Sequence, residues 1–241
     1  VHECLEARTI WRALLQSDDA KEAMCLITGQ QAPISRLHPV IKGVSGGQSS
    51  GVSIVSFNKE SFESFGKGQG DNAPVSEQAA FAYTTALNYL LRRENEQVIS
   101  LGDTTVVFWA LADSEQKAKS AETFFMKGFN PPSPTDESEA KALASELEKL
   151  AKGRPLTEIS PDLDPNTQFF ILGVAPNAAR LSIRFWLQID LGHIQQRFTE
   201  HFQDLALNPL PWKTLPSLYR LLLELIPTRY ESNGNKKKKD I

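Results

Sequence analysis

The sequence predicts an α+β fold, an antiparallel or mixed sheet with helices packed on one face and a charged helical insertion. Three observations carry this expectation. From Arg180 to Asp190, Leu181, Ile183, Phe185, Leu187 and Ile189 fall on one side of an extended chain. Arg180, Ser182, Arg184, Trp186 and Gln188 fall on the other, which is the period of two that a strand imposes. Residues 104–111 are apolar almost throughout, as expected of a central strand covered on both faces. After Ser76, a good helix N-cap, Ala79, Tyr83, Ala86, Leu87 and Leu90 recur at helical spacing.

In chain order, residues 3–15 read as a helix with Ile10, Trp11, Leu14 and Leu15 on one side. The apolar run 24–28, closed by Gly29, and the segment 33–37 read as a hairpin. Seven of the fourteen glycines then crowd into 43–70, at positions 43, 46, 47, 51, 66, 68 and 70, around a predicted strand over 52–57. Glycine loses more conformational freedom on folding than any other residue, so such a concentration needs left-handed turns or a close backbone approach to explain it.

The helix 76–92 and the strand 104–111 follow. Residues 113–127 and 136–152 are helical in spacing with mixed charges, broken by Asn130-Pro-Pro-Ser-Pro134. The stretch 112–164 is expected to be a solvated insertion, in its simplest form an exposed helical hairpin. A strand over 169–175, a turn over 176–179 and the strand 180–190 make the clearest pair, and 193–207 and 215–226 read as helices. The expected division is 1–111, 112–164 and 165–241.

Bulk properties narrow the function. At 241 residues with 41% hydrophobic and 23% charged residues, the chain can bury a sizeable core. A net charge of −3 argues against a free-standing protein that holds DNA by charge alone. Two cysteines, Cys4 and Cys25, exclude a disulfide scaffold and fit a reducing cytoplasm. Even with His2 and His38 they lack zinc spacing, so no metal and no cofactor is expected. Neither a membrane span nor a signal peptide is expected. The opening Val1 and the lysine run 236–239 near the end read as cut ends of a longer polypeptide.

Enzyme motifs are weak. Gly66-Lys-Gly-Gln-Gly70 has neither the spacing of a phosphate loop nor that of a dinucleotide fingerprint. The serine-bearing stretch Gly47-Gln-Ser-Ser-Gly51 lacks the strand that leads into a hydrolase elbow, and His38, His193 and His201 are scattered. No catalytic residue is expected, although a nucleotide-binding enzyme using 66–70 remains an alternative.

Binding is the better reading. Lys67 can neutralise phosphate, while Gln69 and Asn72 present paired donors and acceptors suited to base edges. A second polar glycine loop carries Lys42, Gln48 and Ser49, and two loops flanking one strand would form one surface. Ordinary connecting loops would have the same composition. Arg180, Arg184 and Trp186, on one strand face, suit a nucleic-acid backbone, but a solvated face or a protein interface would carry them equally well.

Several strings in order are specific. They are Cys25-Leu-Ile-Thr-Gly29, Leu37-His-Pro-Val-Ile-Lys-Gly-Val44, Gln48-Ser-Ser-Gly51, Val55-Ser-Phe-Asn58 and Phe62-Glu-Ser-Phe-Gly-Lys67. Gln69-Gly-Asp-Asn-Ala-Pro-Val-Ser-Glu77 runs into Ala79-Ala-Phe-Ala-Tyr-Thr-Thr-Ala-Leu87. Thr104-Thr-Val-Val-Phe-Trp109, Phe170-Ile-Leu-Gly173 and Ala179-Arg-Leu-Ser-Ile-Arg-Phe-Trp186 complete the series. Over 24–111 and 167–230 the chain resembles the large subunit of the type I-C CRISPR surveillance complex (Cascade).

The resemblance implies a non-catalytic subunit at the foot of a crRNA-bearing complex, beside its backbone and foot subunits. Such a subunit recognises the protospacer-adjacent motif in double-stranded DNA, helps to start strand separation and docks a helicase-nuclease. The family's subunit is longer and ends in a helical bundle, so this chain would be an internal part of it. Guide pairing reads the long target, so the protein need read only a few base pairs, and other subunits supply the positive charge. A pure scaffold holding its neighbours through strand faces is the other alternative.

Overall fold

In the computed structural model the described residues are 4, 6–7, 9–10, 21–132, 135–207, 216, 220–221, 229–230 and 236–237. The fold is α+β. A hairpin pairs β1 (Glu22–Met24) antiparallel with β2 (Gln31–Pro33), Ala23 opposite Ala32. A four-stranded sheet has the order β3 (Val98–Leu101), β4 (Thr104–Leu111), β5 (Gln168–Asn177), β6 (Arg180–Asp190). The helices are α1 (Glu77–Leu90), α2 (Glu115–Phe129), α3 (Glu137–Ala151), the short α4 (Leu156–Ile159) and α5 (Leu191–Asp204). A last pair, β7 (Arg229–Tyr230) and β8 (Lys236–Lys237), is antiparallel. No helix among the described residues is long and apolar enough to cross a membrane.

Contacts divide the chain into two units, residues 1–107 with 172–186 and residues 108–171 with 187–241, so β4, β5 and β6 each contribute to both. In the first unit, Cys25, Val75 and Ala80 form a buried cluster flanked by Ala79 and Tyr83. Ser76 caps α1 by accepting the Ala79 N–H at 3.2 Å. The buried line of α1 is Ala80, Thr84 and Leu87, continued by Leu91. Helical spacing of apolar residues alone had centred the stripe elsewhere, because Thr84 buries its hydroxyl by donating to the Ala80 carbonyl at 2.7 Å.

The second unit is aromatic. Phe108 of β4 and Phe169 of β5 stack at 5.9 Å, and Phe125 of α2 packs on both, at 4.8 and 5.0 Å. Phe198 of α5 joins Phe125 at 6.0 Å. These helices cover one sheet face; on the opposite face Trp109 stacks on Phe170 at 5.4 Å. Residue Gly128 of α2 is demanded by this packing, since a Cβ there would lie 2.6 Å from the Phe198 ring.

Several expectations are corrected. The two helices expected over 113–127 and 136–152 exist, but 112–164 is not solvated throughout: α2 buries Ala121, Phe124, Phe125 and Gly128, whereas α3 buries only Leu150. The strand expected over 52–57 does not form. Val52 bridges Ile41 antiparallel and Ser53 bridges Arg180 parallel, so the chain changes partner after one residue and no ladder propagates. Strand β3 was not anticipated; it pairs antiparallel with β4, Ile99 opposite Val106. Most of the expected helix 3–15 and of the expected helix 215–226 lies outside the described residues.

Candidate nucleic-acid interface

The glycine-polar loop between residues 59 and 72 is built from two single 3₁₀ turns, Glu60–Phe62 and Gln69–Asn72. Between them Phe65 and Gly66 both take positive φ, 56° and 68°, and the Lys67 N–H donates to the Ser64 carbonyl at 3.0 Å. Successive positive-φ residues under such a bond have the pattern of a type I′ turn.

Asn72 holds the loop closed. Its Oδ1 accepts the Ser64 N–H at 3.0 Å, and its Nδ2 donates to the Lys67 and Gln69 carbonyls at 2.8 and 3.0 Å. Three of the four hydrogen-bonding positions of this carboxamide are therefore used within the loop. Gln69, half-buried with φ of 44°, accepts Arg36 Nη1 on its Oε1 at 2.9 Å, and its N–H donates to Glu63 Oε1 at 3.2 Å. Lys67 is exposed.

Gly70 answers the question of why glycine is needed here. A Cβ would sit 2.3 Å from the Ser35 carbonyl oxygen and 3.0 Å from that of Arg36, so the close approach is to the chain's own backbone. Lys21 adds an ion pair to Asp71 at 2.9 Å. The loop is docked on the segment that leaves β2.

The second loop has a different support. The Lys42 N–H donates to Asn88 Oδ1 at 2.8 Å and Asn88 Nδ2 donates to the Val40 carbonyl at 3.0 Å, which leaves the Lys42 side chain exposed. Gln48 and Ser49 are exposed in a turn closed by the Gly51 N–H on the Gln48 carbonyl at 3.0 Å. No hydrogen bond or ion pair joins this loop to residues 59–72 among the described residues. The single surface expected on both sides of a strand 52–57 has lost its connecting element.

On β6 the two arginines are engaged internally. Arg180 Nε donates to the Ser56 carbonyl at 3.3 Å, Nη2 donates to Asn58 Oδ1, and the guanidinium lies 4.5 Å from the Phe62 ring centroid. Arg184 pairs with Asp103 at 2.9 Å, and Trp186 is half-exposed. Through Phe62, Arg180 buttresses the 59–72 loop. Arg36, by contrast, was missed, because its partner Gln69 lies 33 residues away and no local spacing reveals such a pair.

Beneath this surface His38 Nδ1 and the Tyr83 hydroxyl lie 2.7 Å apart. Burial pushes the His38 imidazole below its ordinary range and the Tyr83 phenol up to about 12, so both stay neutral. Cys25, fully buried, accepts the Ser76 N–H at 3.2 Å. The core here is not fully satisfied, because His38 Nε2 is buried with no hydrogen-bond partner among the described residues.

Over residues 1–240 the chain matches the family described as CRISPR-associated protein (Cas_Csd1). No curated protein matches it.

Proposed function

The chain belongs to the CRISPR-associated Cas_Csd1 family, and we propose that it serves as the non-catalytic large subunit of a type I-C Cascade. In this reading it recognises the protospacer-adjacent motif in duplex DNA, aids strand separation and recruits the helicase-nuclease in antiviral defence. Its partners are the crRNA-bearing backbone and foot subunits of a cytoplasmic complex.

The observation that carries the reading is the Arg36–Gln69 pair on a clasped loop, with exposed Lys67 two residues away. Arg36 holds the Gln69 oxygen, so the Gln69 amide and the remaining guanidinium donors form a fork of hydrogen-bond donors. Forked donors match the paired acceptors of a purine edge, and an ammonium beside them suits the adjacent phosphate. Because Asn72 and Gly70 fix the loop before any ligand arrives, little ordering entropy is lost on binding. Lys42, Gln48 and Ser49 would contact the backbone from the second loop, and Trp186 a neighbouring subunit or strand.

The reading is tested in the reconstituted complex by comparing motif-bearing duplex with pre-opened targets for Lys67→Ala and Gln69→Ala. Loss confined to the duplex supports it. Equal loss on both target types contradicts it.

A further inference from the structure

One side of α2, from Gln116 to Lys127, lines a groove of about 360 Å³ shared with α3, α4 and the segment that follows α4. That volume falls within the range of small-molecule sites. The whole groove belongs to the second unit.

Both ends are closed by bridges from α2. At one end Gln116 Nε2 donates to Asp162 Oδ2 at 3.1 Å, and at the other Lys127 Nζ meets Glu146 Oε2 at 2.6 Å. On α2 the two bridges stand about three helical turns, or roughly 16 Å, apart.

Between the bridges, three polar side chains have nothing to bond. Among the described residues Lys119 makes no ion pair, and Ser120 and Thr123 make no side-chain hydrogen bond. A helical hydroxyl can return its proton to the carbonyl four residues back, as Thr84 and Thr199 do at 2.7 and 3.0 Å. The two hydroxyls on α2 line the groove with theirs unused. Beneath them the floor is apolar, with Phe124 and Leu163 buried and Ile159 half-buried.

This combination selects a ligand class. One ammonium and two hydroxyls call for a single anionic group that accepts several hydrogen bonds. The apolar floor calls for a hydrocarbon or aromatic body. A phosphate dianion is disfavoured, because Lys119 alone would neutralise it while the Asp162 and Glu146 carboxylates stand at the two ends. A polypeptide running through would have to break a bridge, so the occupant is a molecule no longer than the groove.

We propose that this groove binds a small organic monocarboxylate. The carboxylate sits on Lys119, Ser120 and Thr123, and the apolar body lies on Phe124 and Leu163. The proposal does not depend on the reading of the chain as a motif-recognising subunit.

The test uses the full chain with 4-phenylbutyrate as the probe, 4-phenylbutanol as its uncharged counterpart and phenyl phosphate as the dianion. Titration calorimetry should show 4-phenylbutyrate saturating one site by about 10 mM, with both comparison compounds at least about tenfold weaker. The methyl resonances of Ile159 and Leu163 should shift during the same titration. Lys119→Gln should weaken the probe by about 10- to 150-fold, the range of one lost hydrogen bond to a charged group. Thr123→Val should weaken it by about 2- to 10-fold. Lys119 and Thr123 are exposed, so neither change should move the melting temperature of the ligand-free chain.

No saturation by the probe overturns the proposal, and so does wild-type binding by Lys119→Gln. Equal binding of the alcohol would reduce the groove to an apolar crevice, and tighter binding of phenyl phosphate would give it to another ligand class. Binding that leaves the Ile159 and Leu163 methyls unmoved would place the site elsewhere. Each of these results rejects the assignment.

Discussion

Arg36 Nη1 donates to Gln69 Oε1 at 2.9 Å, joining the segment after the first hairpin to the glycine loop 33 residues later. Because Gly70 also rests directly on the Ser35 and Arg36 carbonyls, side-chain and backbone contacts converge on one short stretch. The position of the Gln69 amide is therefore set by Arg36.

That dependence predicts coupling. Arg36→Ala and Gln69→Ala should each weaken binding of motif-bearing duplex by the complex. Together they should do so by less than the sum, with an interaction term of about 0.5–3 kcal/mol. A double-mutant cycle on duplex affinity measures it, and strict additivity would show that the two residues act separately.

Asn72→Ala removes three hydrogen bonds at once and leaves the Ser64 N–H without its acceptor. The expected effect is local: global stability should fall by no more than about 1–3 kcal/mol. Hydrogen exchange at the Ser64 amide should accelerate well beyond that of the α1 amides. Unchanged protection at Ser64 would contradict the clasp.

Buried His38 makes stability pH-dependent. Its folded pKa is held below the ordinary 6.5 by burial, so the unfolded chain takes up the proton first. Stability from this site is complete above pH 6.5 and falls as the pH drops from there toward the folded value. Thermal melts between pH 8 and 5 should show that loss, and His38→Gln should flatten it. An unchanged pH profile in His38→Gln would assign the loss to other groups.

Gly128→Ala tests the aromatic packing of the second unit. In an exposed helix interior the change stabilises by about 1 kcal/mol. Here the added Cβ would lie 2.6 Å from the Phe198 ring, so the sign should reverse to a loss of about 1–3 kcal/mol in chemical denaturation. A stabilised variant would mean that α2 and α5 do not meet at this residue.

Legibility in the sequence followed the range of the physics. Ser76, the apolar run of β4 and the alternation in β6 are local signals, and each element stands where those signals put it. A hairpin does form near Gly29, but its strands are Glu22–Met24 and Gln31–Pro33 rather than 24–28 and 33–37, because residues 26–28 make the turn that the Gly29 N–H closes on the Cys25 carbonyl at 2.8 Å. Helix α2 was located but misjudged, since charges at Lys117, Lys119 and Glu122 mask the buried line Ala121, Phe124, Phe125 and Gly128. The segment 52–57 has strand composition without strand pairing, because Ser53 turns to Ala179 and Leu181 for its hydrogen bonds. Partner choice of that kind is a tertiary property.

The candidate site was legible in its address but less so in its division of labour. Lys67, Gln69 and Asn72 do lie on one loop, yet Asn72 binds that loop while Arg36 stands beside Gln69. Residue type announces what a side chain can bond to. Which partner it takes depends on segments that the fold alone brings near.

The most direct measurement is the affinity of the guide-loaded complex for two versions of one target, fully paired and already melted, with Gln69→Ala and Lys67→Ala. The account predicts weaker binding to the paired version, by about 1–3 kcal/mol for a lost base contact, and near wild-type affinity for the melted one. Equal losses on both versions, or none on either, would contradict it.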